Sequence, residues 1–137
     1  MNEPLNLVLF SGTDDKLQAA AVLTAGAAAL GRPVNVFLQY WALDAFRRDR
    51  IAGDHGLAAE AGPAGRAAVD ALRSAGQSSW AETLRQAKEL GGVDIEACSL
   101  SMDLLKLGVG DLDPLVDGVE GVTSFYLNAG DGPVVFI

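Results

Sequence analysis

Leu5-Asn6-Leu7-Val8-Leu9-Phe10 is a nearly continuous apolar run that stops at Ser11-Gly12-Thr13. It predicts a strand buried on both faces, followed by a turn. From Asp14 the spacing changes: acids at Asp14 and Asp15 precede apolar positions at Leu17, Ala20, Ala21, Leu23, Ala27 and Leu30, with Gly31 and Pro33 behind them. That is a helix with its start and stop signals. Val34-Asn35-Val36-Phe37-Leu38-Gln39 predicts a second strand, and the three elements form a βαβ unit, which requires parallel strands and a right-handed crossover.

Tyr40-Trp41-Ala42-Leu43-Asp44-Ala45-Phe46-Arg47-Arg48 predicts an aromatic loop entering a short helix. Glycines at 53, 56, 62 and 65, with Pro63, make residues 49 to 65 the least regular part of the chain. Ala67 to Leu72 has a short helical pattern, and Ser79-Trp80-Ala81-Glu82 has the form of a capping box opening a helix that runs through Leu90 to Gly91-Gly92. Val93, Ile95 and Ala97 alternate with Asp94 and Glu96 as a third strand, and Ser99 to Leu107 predicts a short helix closed by Gly108. Cys98 falls at that junction. Gly118-Val119-Glu120 is a minimal fourth strand, Val122, Phe125, Tyr126 and Ala129 share one face of a last helix, and Pro133 to Ile137 is a fifth strand. The alternation implies an α/β fold with a five-stranded, mostly parallel sheet, order 2-1-3-4-5, covered on both faces.

The chain's 137 residues suit one domain spanning 1–137. Half of the residues are apolar and a fifth are charged, a globular balance, and no apolar run approaches the roughly 20 residues that cross a bilayer. Met1-Asn2-Glu3-Pro4 carries no basic segment, so no secretory signal is expected. A single cysteine excludes an intrachain disulfide and suits a reducing cytoplasm. Ten basic residues against eighteen acidic ones give a formal charge of -8. The basic residues are scattered or interleaved with acids, which disfavours a nucleic-acid partner.

In open parallel sheets ligands bind beyond the carboxyl ends of the strands, where the strand order reverses. With order 2-1-3-4-5 that point lies between the first and third strands. Ser11-Gly12-Thr13-Asp14 and Cys98-Ser99 then meet there, with Tyr40-Trp41 nearby. A thiol just before a helix faces free backbone N–H groups and the positive end of the helix dipole, which favour thiolate over thiol. Ser99 and Ser101 offer hydroxyl donors, or Ser99 caps the helix. Cys98 is thus either a reactive thiol or one more small buried apolar residue. With no resolving cysteine in its own chain, its chemistry has to be completed by another molecule, as in handing a persulfide to an acceptor thiol.

Other candidates weigh less. Ser11-Gly12-Thr13 lacks the glycine spacing of a dinucleotide or phosphate loop. His55 has no second histidine and no cysteine cluster, so no metal site is expected and it reads as an exposed loop residue. Asp14-Asp15 and Asp111 with Asp113 suit a helix start and a solvated loop. The alternative to a sulfur carrier is a non-catalytic module binding an anion, a nucleotide or a partner protein. A thiol peroxidase fits poorly, since no Thr or Pro precedes Cys98 in a peroxide-activating arrangement.

Ala97-Cys98-Ser99-Leu100-Ser101-Met102-Asp103 resembles the A-C-x-M/L-S-M-D motif of the DsrE/DsrF-like family, in its peroxiredoxin-like DsrE branch. Val8 to Lys16 is similar to that branch's V-x-x-S-G-x-x-D-K start, Tyr40-Trp41-Ala42-Leu43 to its F-W-G-L segment, and Gly118 to Phe125 to its D-G-V-E-x-G-G-V-A region. The resemblance implies a flavodoxin-like three-layer fold, an oligomer, no cofactor, and intracellular, cytoplasmic sulfur transfer between donor and acceptor proteins. Only Cys98 matches the persulfide-carrying position; Ser11, Gly12, Thr13, Tyr40, Trp41, Ser99 and Ser101 are expected to line the site from their places at the strand ends. The family's methionine-rich middle is replaced here by Ile51 to Gly76, and Ala42 stands where glycine is usual.

Overall fold

The computed structural model describes residues 3 to 137; Met1 and Asn2, part of the stretch read for a secretory signal, lie outside them. The strands are β1 (Leu5–Leu9), β2 (Val34–Leu38), β3 (Val93–Cys98), β4 (Gly118–Glu120) and β5 (Val134–Phe136). Between them run α1 (Asp14–Ala29), α2 (Tyr40–Ala45), α3 (Gly62–Ser74), α4 (Trp80–Leu90), α5 (Ser99–Leu105) and α6 (Val122–Ala129). Most lie within a residue or two of the sequence expectation. α2 and α3 depart from it: Tyr40 and Trp41, expected in a loop, open the helix themselves, and α3 begins before the pattern at Ala67. Its start signal is Pro63, in the first helical turn, where a missing N–H costs nothing and the fixed φ suits a helix. In sequence the same proline, set among glycines, is indistinguishable from loop punctuation.

The fold is a flavodoxin-like α/β arrangement on a five-stranded sheet in which every pairing is parallel. The strand order is β4-β3-β2-β1-β5 rather than 2-1-3-4-5. Successive right-handed crossovers that step in one direction place β2 beside β1, β3 beside β2 and β4 beside β3. α6 then returns the chain across the opposite face and β5 closes against β1. β2 is therefore central, and four of its five residues are buried. β1 is nearly as apolar on both faces, so burial alone did not decide which of the two sits in the middle.

One face packs on α1 and α4: Leu7, Leu9, Val36, Leu38, Ile95 and Ala97 meet Leu17, Ala20, Ala21, Trp80, Ala81 and Leu84 in the main core. The other face is covered by less. Phe125 of α6 stacks on Phe37 of β2 at 5.0 Å between ring centroids, and Cys98 and Val8 complete that smaller cluster. Burial of each such ring stabilises the fold by about 2–3 kcal/mol. Phe136 (66 % exposed) and Leu127 (78 %) lie beyond this cover. Asn6 is fully buried, and its Nδ2 donates to the carbonyls of Ala129 and Pro133 at 3.2 Å while its Oδ1 accepts from Asn35 Nδ2 at 2.9 Å. A polar residue inside β1 is thereby satisfied, and it ties the last helix and strand to the first. Among the described residues no helix is long and apolar enough to cross a membrane.

Candidate functional site

Cys98 ends β3 and is itself the N-cap of α5. Ser101 N–H donates to Cys98 Sγ at 3.5 Å, within the longer reach of sulfur. The capping role considered for Ser99 thus belongs to the cysteine. Ser99 is exposed, with its hydroxyl over Gly121. Cys98 is only 4 % exposed. The side chain of Ser101 points the other way: its Oγ accepts from Tyr40 N–H at 3.1 Å. Tyr40 starts α2 at φ 44°, a left-handed conformation that non-glycine residues take at a cost. The serine hydroxyl helps to hold it.

The expected meeting of the β1 and β3 loops is bridged by the residues after β2. Ala42 N–H donates to the Phe10 carbonyl at 3.0 Å and Gln39 N–H to that of Leu9 at 2.9 Å. Gly12 lies against the Trp41 carbonyl so closely that a Cβ would overlap it. The rings of Phe10 and Tyr40 are 5.1 Å apart, and those of Tyr40 and Trp41 6.0 Å. The chain of contact runs Gly12, Trp41, Tyr40, Ser101, Cys98. Ser11 and Thr13 flank its start, and Thr13 is the N-cap of α1 by backbone conformation, with its carbonyl accepting from Leu17 N–H at 3.0 Å. With β2 intervening, no reversal point lies between β1 and β3, and the loops after β1, β2 and β3 lie in a row instead.

The sequence reading missed what lies beside the thiol. Cys98 has the parity of Asp94 and Glu96 along β3, so the three share one face of the sheet. Glu120 of β4 is paired with Cys98, and Gly118 with Glu96. The missing side chain of Gly118 leaves the Glu96 carboxylate its room, since a Cβ there would come within 2.9 Å of Oε2. That oxygen is buried and makes no hydrogen bond. Burial first, then the charges of Asp94 and Glu120, push Glu96 up to about 7, against a smaller opposite pull from Lys88. Glu120 is raised by burial and by Asp94, although Asn128 Nδ2 donates to its Oε1 at 3.2 Å. The alternation of β3 puts Cys98 on the face of Asp94 and Glu96, while Glu120 joins them only through the pairing with β4.

Across the sheet, α1 opens on Asp14, which is 6 % exposed. Its Oδ1 accepts from Trp80 Nε1 at 3.0 Å and its Oδ2 from His55 N–H at 3.1 Å. His55 is therefore a half-buried residue whose ring lies 5.7 Å from that of Trp80, not an exposed loop histidine. Its local sequence gave no sign, because the partners come from α1 and α4.

Comparison with known proteins finds relatives for part of the sequence and for the fold. Residues 1–60 match the model of the DsrE/DsrF/DrsH-like family. The match takes in Ser11 to Lys16 and Tyr40 to Leu43, and Cys98 lies beyond it. The chain is 28 % identical to the uncharacterized protein YrkE of Bacillus subtilis (strain 168), with 93 % of this chain and 92 % of that one aligned. Among solved structures it is similar to the ychN protein from E. coli, with TM-score 0.59, 13 % identity and all of both chains covered. It is also similar to MTH1491 of Methanobacterium thermoautotrophicum, a protein of unknown function, with TM-score 0.54, 15 % identity, and 97 % and 99 % of the two chains covered. At those identities the two structures speak for the fold.

Proposed function

The first 60 residues carry the DsrE/DsrF/DrsH-like signature, and on that premise we propose that this protein is a sulfur-relay carrier that holds a persulfide on Cys98. The observation that supports the reading most is the placing of the only cysteine at an N-cap, with Ser101 N–H aimed at its sulfur. That contact fixes the sulfur at the start of α5, and a cysteine sulfur is the nucleophile in thiol exchange. Ser11, Gly12, Thr13, Tyr40, Trp41, Ser99 and Ser101 then form the walls of the approach.

The step balances without an outside oxidant. The Cys98 thiolate attacks the outer sulfur of a donor persulfide, and a new S–S bond forms on Cys98. The donor's own S–S bond breaks, with its electron pair leaving on the donor thiolate, which takes up the proton lost by Cys98. Attack by an acceptor thiol on that outer sulfur reverses the sequence. A single cysteine suffices because donor and acceptor are other proteins. The setting is a reducing one, the cytoplasm, where the thiol stays free. We read the whole chain as one domain. The exposed Phe136, Val134, Tyr126 and Leu127 support assembly into a homo-oligomer, since large apolar side chains left in solvent favour association.

One observation favours the alternative of a non-catalytic binding module. Cys98 packs among Phe37, Phe125 and Val8, as inert buried cysteines do. Intact mass after exposure of the folded protein to glutathione persulfide separates the two. The carrier gains one sulfur atom in the wild type and none in Cys98→Ser. A wild-type mass that stays unchanged while the protein is folded overturns the carrier reading and leaves the binding module.

A further inference from the structure

A cavity of about 650 Å³ lies between α1, α3 and α4, on the face of the sheet that α1 and α4 cover. That is the volume of a small-molecule site. α3 forms one wall in an unusual way: none of its 13 residues is buried. It is held instead by ion pairs, Arg66 with Asp54 at 3.1 Å and Arg73 with Asp14 at 3.4 Å, so its apolar Val69 and Leu72 face the cavity and not the core.

The lining divides into an apolar and a polar half. Ile51, Val69, Leu72 and Trp80 make the first, and Arg73, Arg85, Gln18 and Gln77 belong to the second together with Asp14, Asp15, Asp54 and Glu82. Of the four acids of the wall, Glu82 is exposed and turned to solvent at the rim, and the other three are engaged. Asp14 holds Trp80 and the His55 N–H, Asp15 holds the Ala58 N–H at 3.1 Å, and Asp54 holds the Gly56 N–H at 2.8 Å as well as Arg66. The arginines keep donors to spare, since Arg73 and Arg85 each spend one nitrogen on an ion pair out of the five N–H groups a guanidinium carries.

We propose that this cavity binds a small organic carboxylate with a flat apolar body, the carboxylate at Arg73 and Arg85 and the ring between Trp80 and the Val69 and Leu72 side of α3. The site is distinct from the Cys98 crevice and does not depend on the sulfur-carrier reading. Apolar contact with α3 would supply the burial that the helix lacks, and the guanidinium fork suits a carboxylate.

Naphthoate is a suitable probe. In a Trp41→Phe background Trp80 is the remaining one of two tryptophans, and its indole N–H resonance reports on the cavity wall. Naphthoate is expected to shift that resonance saturably. Naphthylmethanol, which has the same ring without the charge, should bind about tenfold more weakly, as should naphthoate to Arg73→Gln. Val69→Phe, a change on a helix with no buried residues, should fill the cavity and abolish the shift, while Cys98→Ser should leave it unchanged. No saturable shift, or the same shift in Val69→Phe, overturns the site, and equal binding of the neutral alcohol overturns the carboxylate.

Discussion

Glu96 is where a single side chain changes how the molecule answers to pH. Its carboxyl titrates at about 7 in the folded protein against an ordinary 4.5, chiefly through burial and secondly through Asp94 and Glu120. A raised carboxyl binds its proton more tightly folded than unfolded. Its stabilising contribution is therefore complete below about pH 4.5 and is lost as pH rises through about 7. Glu96→Gln removes that loss. Urea unfolding at pH 8 should find the variant about 1–2 kcal/mol more stable than wild type, a figure reduced from the full shift because the group is partly solvated. At pH 4.5 the two should nearly coincide. A pH-independent difference would mean that Glu96 is not the titrating group.

At the scale of elements, the loops after β1 and β2 are held together by backbone proximity. Gly12 shows this most directly, because a Cβ there would overlap the Trp41 carbonyl. Gly12→Ala has to push α2 away from the β1 loop, and we expect a loss of about 1–3 kcal/mol in denaturant unfolding. The disturbance should reach the Tyr40 N–H bond to Ser101. Most of the elements were legible in the sequence, since their apolar spacing and stop signals are local: β1, α1, β2, the Ser79 cap of α4 and β3 all lie close to where the pattern puts them. Cys98 at the strand-to-helix junction was legible for the same reason. Strand order was not, because β1 and β2 are both apolar on two faces. Nor were the neighbours of Cys98 and Asp14, which are set by pairings with β4 and by packing of α1 on α4.

For the whole molecule, the two faces of the sheet differ. One is closed by α1 and α4, and the other by α6 alone, with Phe136 at the rim. If the rim is an interface between copies, light scattering should give the wild type a mass of at least two chains and Phe136→Asp that of one, with the fold retained because the side chain is already exposed. A monomeric wild type would set the oligomer aside. The Asn6 contacts carry a different implication. Its carboxamide reaches the Pro133 carbonyl across 127 positions, so β1, among the first strands to leave the ribosome, waits for nearly the whole domain to be synthesised before its outer neighbour arrives. Until then β1 presents an unpaired edge, the kind that recruits strands from other chains. Nascent chains halted before β5 are thus the form of this protein with most need of a chaperone.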